Sequence, residues 1–190
     1  EAVVKVTPNG DISTFADRVG GVKLTLPNFC TFDAYGNLYV SNSSIHNHHC
    51  VLVEVSHPAP NGSLVRIRPD GNGEIVATGI WSANGTAIDP KEEAIYVLES
   101  TKYDCLRIPI RKDGTHGTPE VYSEGFPAMP DGMAFDTNGN LYVTLICVPK
   151  DGEIDPVYKI LKIDTNGTWT EFIDDPLKER LAFPTNCAFG

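Results

Sequence analysis

The chain has 190 residues, 41% of them hydrophobic, a mean hydropathy of −0.15 and a formal charge of −10. That is enough apolar material for a soluble folded body, and no run of 18 apolar residues suggests a membrane span. The acidic balance disfavours nucleic acid, whose affinity comes from Lys and Arg neutralising phosphates; with no charged-then-apolar leader in view, a cytoplasmic location is favoured over a secreted one.

In chain order, Val3–Val6 and Ile12–Phe15 flank Pro8-Asn9-Gly10-Asp11 and read as a hairpin. The next unit starts at Asn28 and supplies strands at Cys30–Phe32, Leu38–Val40, Leu52–Val55 with Leu64–Ile67, and Ile75–Thr78. A unit from Asn84 supplies Thr86–Ile88, Ile95–Val97, Cys105–Ile110 and Glu120–Ser123, and one from Asp131 supplies Met133–Phe135, Leu141–Val143, Val157–Ile163 and Thr168–Ile173. Turn pairs such as Gly36-Asn37, Asp113-Gly114, Gly139-Asn140 and Asn166-Gly167 separate these runs and tolerate the positive φ of tight turns. No window of eleven residues carries a capped 3.6-residue apolar period. The best helical candidate is the short run 175–181, with Pro176 in its first turn.

Three units open on an Asn or Asp followed about ten residues later by an aliphatic-Tyr-Val core: Asn28 with Leu38-Tyr39-Val40, Asn84 with Ile95-Tyr96-Val97, Asp131 with Leu141-Tyr142-Val143. A fourth anchor, Asn186, follows at Pro184-Thr185-Asn186-Cys187 and is expected to open the innermost strand of a later unit over Asn186–Phe189. The anchors are 56, 47 and 55 residues apart, a period that marks a stacked repeat. Four strands per unit is the blade of a β-propeller. The expected fold is therefore all-β, a propeller of the six-bladed type with about three whole blades and two partial ones. Six blades of about 50 residues need roughly 300, so residues 1–190 read as one propeller domain that lacks N-terminal blade(s) and the end of its last blade. The open blade edges would then favour self-association or a complementing chain.

In a propeller the innermost strands line the channel, so Asn28, Asn84, Asp131 and Asn186 would converge there. One carboxylate and three amides are oxygen donors suited to a hard divalent cation, calcium foremost, with magnesium, manganese or zinc as alternatives. The competing reading is that each side chain bonds its own turn. Asp33, Asp89 and Asp136, five residues after their anchors, read as turn formers. Cys30, Cys50, Cys105, Cys147 and Cys187 are odd in number and lack a C-x-x-C pair, which argues against a disulfide framework or structural zinc; Cys30, Cys105 and Cys187 are expected as small buried apolar residues. His46, His48, His49 and Cys50 could bind zinc or copper, but their bunching favours an exposed loop. Sequons stand at Asn42, Asn61, Asn84 and Asn166, the last three in Asn-Gly pairs that turn chemistry explains as well as glycosylation does. Trp81 and Trp169 are expected to pack between blades.

The blocks Ala83-Asn84-Gly85-Thr86-Ala87-Ile88-Asp89-Pro90 and Met129-Pro130-Asp131-Gly132-Met133-Ala134-Phe135-Asp136, each followed by its Tyr-Val strand, resemble signatures of the senescence-marker-protein, gluconolactonase and luciferin-regenerating-enzyme family. The resemblance covers nearly the whole chain. It implies a six-bladed propeller with one divalent metal in the channel, held by a first-blade Glu, the Asn matched by Asn84 and the Asp matched by Asp131; Asn28 matches an Asn near the substrate. The Glu is expected before residue 1. The implied reaction is opening of a small-molecule lactone by metal-activated water, with Asp131 as general base. Two positions depart from the sugar-lactonase members: Leu26 stands where they carry Arg, and Phe29 where they carry Asp, which points to a less polar lactone or ester. A non-catalytic propeller binding a small ligand or protein, or an inactive fragment of a lactonase, is the competing reading.

Overall fold

The structure, a computed structural model, describes residues 1–46 and 56–189. Three four-stranded antiparallel sheets follow one another along the chain. The first holds β5 (Pro27–Phe32), β6 (Leu38–Asn42), β7 (Gly62–Ile67) and β8 (Gly73–Ile80). The second holds β9 (Ala83–Ile88), β10 (Ala94–Glu99), β11 (Asp104–Pro109) and β12 (Glu120–Glu124), and the third β13 (Met129–Phe135), β14 (Leu141–Lys150), β15 (Glu153–Ile163) and β16 (Trp169–Asp174). In each, the strands pair in chain order, as in the blade of a propeller. Ahead of them lie the hairpin β1 (Val3–Val6) with β2 (Ile12–Ala16), and the short pair β3 (Arg18–Val19) with β4 (Val22–Lys23). The Leu52–Val55 strand expectation lies outside the described residues.

The period-2 alternation of a strand sends successive side chains to opposite faces, and here each face meets a different sheet. From β10, Ile95 and Val97 pack with Tyr39, Leu64 and Ile80 of the first sheet, while Tyr96 and Leu98 pack with Met133, Leu141 and Val143 of the third. In β6, Tyr39 turns to the second sheet and Leu38 and Val40 to Val19 and Leu24. Burial on both faces is why these second strands read as unbroken apolar runs. Aromatic edges reinforce one junction: the Tyr96 ring lies 4.9 Å from those of both Tyr122 and Phe135. Trp169 is also an inter-blade residue, its Nε1 donating to the Glu124 carbonyl at 3.0 Å.

At the turns after the first strands, one device recurs. Asp33 Oδ1 accepts the N–H groups of Tyr35 and Asn37, Asp89 Oδ1 those of Lys91 and Glu93, and Asp136 Oδ1 those of Asn138 and Asn140. The turn-former expectation holds at all three.

Two local expectations fail, and the best helical candidate forms no helix. No helix forms over 175–181, because the Asp175 carboxylate takes the N–H groups of Glu179, Arg180 and Leu181, and Lys178 sits at φ +59°. Residues 186–189 form no strand: no strand pairs with them among the described residues, and the segment lies against the third sheet through Cys187 Sγ, 3.6 Å from the Tyr142 carbonyl, and the Phe189 ring, 5.0 Å from that of Tyr142. Only Cys105 of the three predicted buried cysteines is buried; Cys187 is half-buried, and Cys30 is exposed because β5 alternates so that Asn28, Cys30 and Phe32 share its open face. All four described cysteines are free.

Candidate active site

The first strands of the three sheets run side by side, with β9 between β5 and β13. Their close approach is set by glycine. A Cβ on Gly85 would stand 2.5 Å from the Asp131 carbonyl oxygen, and one on Gly132 would stand 2.5 Å from Asn186 Oδ1. Asn28, Asn84 and Asp131 are therefore brought to adjoining strand positions from segments about fifty residues apart, and Asn186 abuts the third of these strands at Gly132.

Asn84, in β9, is 8% exposed, and its amide neighbours the Asp131 carboxylate. Burial pushes the Asp131 pKa up to about 6, and the Asn84 amide offsets only part of that rise. Cys147, on β14, lies close enough to feel this carboxylate: burial first, and then the Asp131 charge, raise its thiol pKa. Asn28 is exposed and belongs to the same row through β5. Asn186 is exposed too, and its Oδ1 accepts the N–H of Cys187 at 2.8 Å, so this anchor serves its own turn.

Serines behind the row tie the sheets together. Asn28 Nδ2 donates to Ser43 Oγ at 3.1 Å, and Ser43 Oγ donates to the Ala83 carbonyl at 2.7 Å. One sheet on, Asn84 Nδ2 donates to Ser100 Oγ at 3.1 Å, and Ser100 Oγ donates to the Pro130 carbonyl at 2.7 Å. Each serine thus links an anchor to the residue just before the next anchor. The backbone leading into the row is braced as well: Leu26 N–H donates to Asn42 Oδ1, and Trp81 N–H to Glu99 Oε1. Glu99 and Asp104, both 2% exposed, share the Lys102 ammonium at 3.0 and 2.9 Å. Burial, with Glu99 beside it, raises the Asp104 pKa.

Neither the serines nor this acid pair figured among the residues expected to matter. The available signal was the serine three places after the Val of Tyr39-Val40 and Tyr96-Val97. Asn84 is buried on a strand, so the turn explanation of its sequon fails, and Asn42 is buried too. His48, His49 and Cys50 lie outside the described residues; His46 donates its N–H to Ser44 Oγ. Among the described residues no three His, Cys, Asp or Glu side chains are grouped to hold a metal ion, and no helix is long and apolar enough to cross a membrane. The row instead offers one carboxylate and one buried amide, whose oxygens are of the hard type that fits part of a divalent-cation site.

Sheets of four antiparallel strands packed face to face around adjoining inner strands define a β-propeller protein. The match of residues 2–190 to the SMP-30/Gluconolactonase/LRE-like region places the chain in that family. It is 26% identical over 155 residues to a gluconolactonase of Zymomonas mobilis, a match covering 75% of this chain and 43% of the relative. Its fold is similar to a gluconolactonase from Xanthomonas campestris, with a TM-score of 0.76 and 20% identity over 99% of this chain and 58% of that one. It is also similar to a calcium-binding regucalcin from Agrobacterium tumefaciens, with a TM-score of 0.57 and 17% identity over 75% and 43% of the two chains. The chain thus spans roughly half the length of these proteins.

Proposed function

We propose that the protein is a lactone hydrolase whose reaction takes place at the Asn28, Asn84 and Asp131 row. The carrying observation is the desolvated Asp131 carboxylate, with a pKa of about 6, set against the Asn84 amide where two inner strands meet. Membership of a family that includes gluconolactonases supports the reaction class. Asn84 and Asp131 would hold one divalent cation, calcium first in view of the calcium-binding relative. When bound, such a cation polarises an ester carbonyl and acidifies nearby water.

The residues of this chain then act as follows. Without a cation a pKa of about 6 leaves Asp131 ionised at neutral pH, and in this reading it is the group that takes the proton from water. As the water oxygen bonds to the acyl carbon, the proton passes to Asp131. The acyl–oxygen bond of the ring breaks, and Asp131 returns the proton to the departing alkoxide, leaving a hydroxy acid. Asn28, with its Nδ2 engaged by Ser43, presents its carbonyl oxygen as an acceptor for a substrate hydroxyl. Leu26 and Phe29 flank it, favouring a less polar lactone or ester over a sugar acid.

The test is Asp131→Ala, assayed for calcium binding by calorimetry and for hydrolysis of gluconolactone and aliphatic lactones. Both are expected to fall, hydrolysis by about 100-fold or more. A parent protein that neither binds calcium nor opens any lactone would overturn the reading in favour of a non-catalytic binding propeller.

A further inference from the structure

We propose that Ser100, and Ser43 one sheet earlier, are positioning residues that fix which end of each anchor carboxamide faces the substrate side; for Ser100 this rests on reading Asn84 as a cation ligand. An asparagine amide offers an acceptor at one end and donors at the other, so it ligates a cation only when its oxygen points outward. Ser100 Oγ gives its single proton to the Pro130 carbonyl at 2.7 Å, which leaves it only lone pairs for Asn84. Asn84 must therefore turn Nδ2 toward Ser100, at 3.1 Å, and its oxygen away. Ser43, committed to the Ala83 carbonyl, imposes the same orientation on Asn28.

The third sheet supplies the internal comparison. Counting three residues beyond Val40, Val97 and Val143 reaches Ser43, Ser100 and Ile146. Serine stands where the anchor is an amide with two unlike ends. Where the anchor is Asp131, whose two oxygens both accept, the position holds a buried Ile packed with Met129 and Cys147. A serine serving only to stitch neighbouring sheets would have no reason to follow the chemistry of the anchor. Both serines are buried, at 2% and 1% exposure, so water does not substitute for their hydroxyls.

The test is a double-mutant cycle read by calcium titration of the parent, S100A, N84D and S100A/N84D. Ser100→Ala is expected to weaken calcium about tenfold beside the native Asn84, the worth of roughly one hydrogen bond. In the N84D background, where a carboxylate has no unlike ends to orient, the same change is expected to cost less than about twofold. An equal loss in both backgrounds would reduce Ser100 to a structural tie and overturn the proposal. A readout free of any cation is hydrogen exchange of the Asn84 carboxamide, assigned by NMR from the signals missing in N84D. It is expected to be slow in the parent and at least about tenfold faster in S100A, and unchanged exchange overturns the relay whether or not calcium binds. A parent that binds no calcium but shows this acceleration would sink the cation reading alone. Should S100A not fold, Ser43→Ala reports the same relay through the Asn28 carboxamide.

Discussion

The same two residue types, Asn and Asp, do opposite work in two regions of this molecule. At the hairpin turns an Asp closes on its own loop: Asp136 gathers two backbone N–H groups and the Asn140 side chain, and these bonds, the Asn140 side chain first, lower its pKa. In the inner row the Asn side chains bond serines that reach to the next sheet, and Asp131, deprived of water with one amide for company, is raised instead. A carboxylate whose charge is satisfied locally serves folding. One whose charge is left dissatisfied is available to a cation or a proton, and that difference, rather than residue type, separates the candidate site from the turns.

Glycine sharpens the contrast first. Gly85→Ala is expected to cost about 3 kcal/mol, because the new Cβ would lie 2.5 Å from the backbone oxygen of Asp131, which has no rotamer by which to move aside. At a turn, Gly139 has room but sits at φ +84°, so Gly139→Ala should cost only about 1 kcal/mol of backbone strain. Urea unfolding of both variants checks the order. A Gly85→Ala variant as stable as the parent would mean that the inner strands do not approach as closely as the row requires.

The next comparison is in pH. Asp131 has a folded pKa of about 6 against an ordinary 3.8. The stability tied to its neutral form is fully present below the ordinary value and is lost as pH rises through 6. Asp131→Asn, which never ionises, should therefore gain on the parent between pH 4 and pH 7, by about 2 kcal/mol once partial exposure is allowed for. Thermal melts in chelator across that range read the gain. A difference that stays flat with pH would place Asp131 in water.

The blade pattern was legible in the sequence because strand alternation and turn chemistry are local. Tyr39-Val40 and Tyr96-Val97 announce strands, and Asp33 and Asp136 their turns, within five residues of themselves. The pairing of Asn84 with Asp131 was legible only through the repeat, which places residues 47 apart at equivalent positions. Ser100 escaped notice because its meaning depends on a bond to Asn84, 16 residues back, and another to Pro130, 30 residues on. Strand pairing and sheet packing create both contacts. Asn186 misled for the converse reason. Its local sequence matches a strand opening, but a strand needs a hydrogen-bonded neighbour, and the segment instead spends its polar groups on its own turn and on Tyr142.

The smallest expected effect is the most direct check on the division of labour. Asp136→Ala removes the acceptor for the Asn138 and Asn140 N–H groups, both at 2.9 Å, at a solvent-exposed turn. A modest fall in melting temperature should follow, with calcium binding and lactone hydrolysis unchanged. Because the Asp136 pKa is lowered, its contribution is present above the ordinary carboxylate range and lost as pH falls through the depressed value. The deficit of Asp136→Ala against the parent should therefore shrink in acid, the reverse of the trend for Asp131→Asn. Asp136→Asn keeps one acceptor oxygen for the two backbone donors and should recover part of the loss without any pH trend. If Asp136→Ala instead impaired hydrolysis as Asp131→Ala is expected to, the turns and the inner row could not be serving the separate ends that their opposite pKa shifts imply.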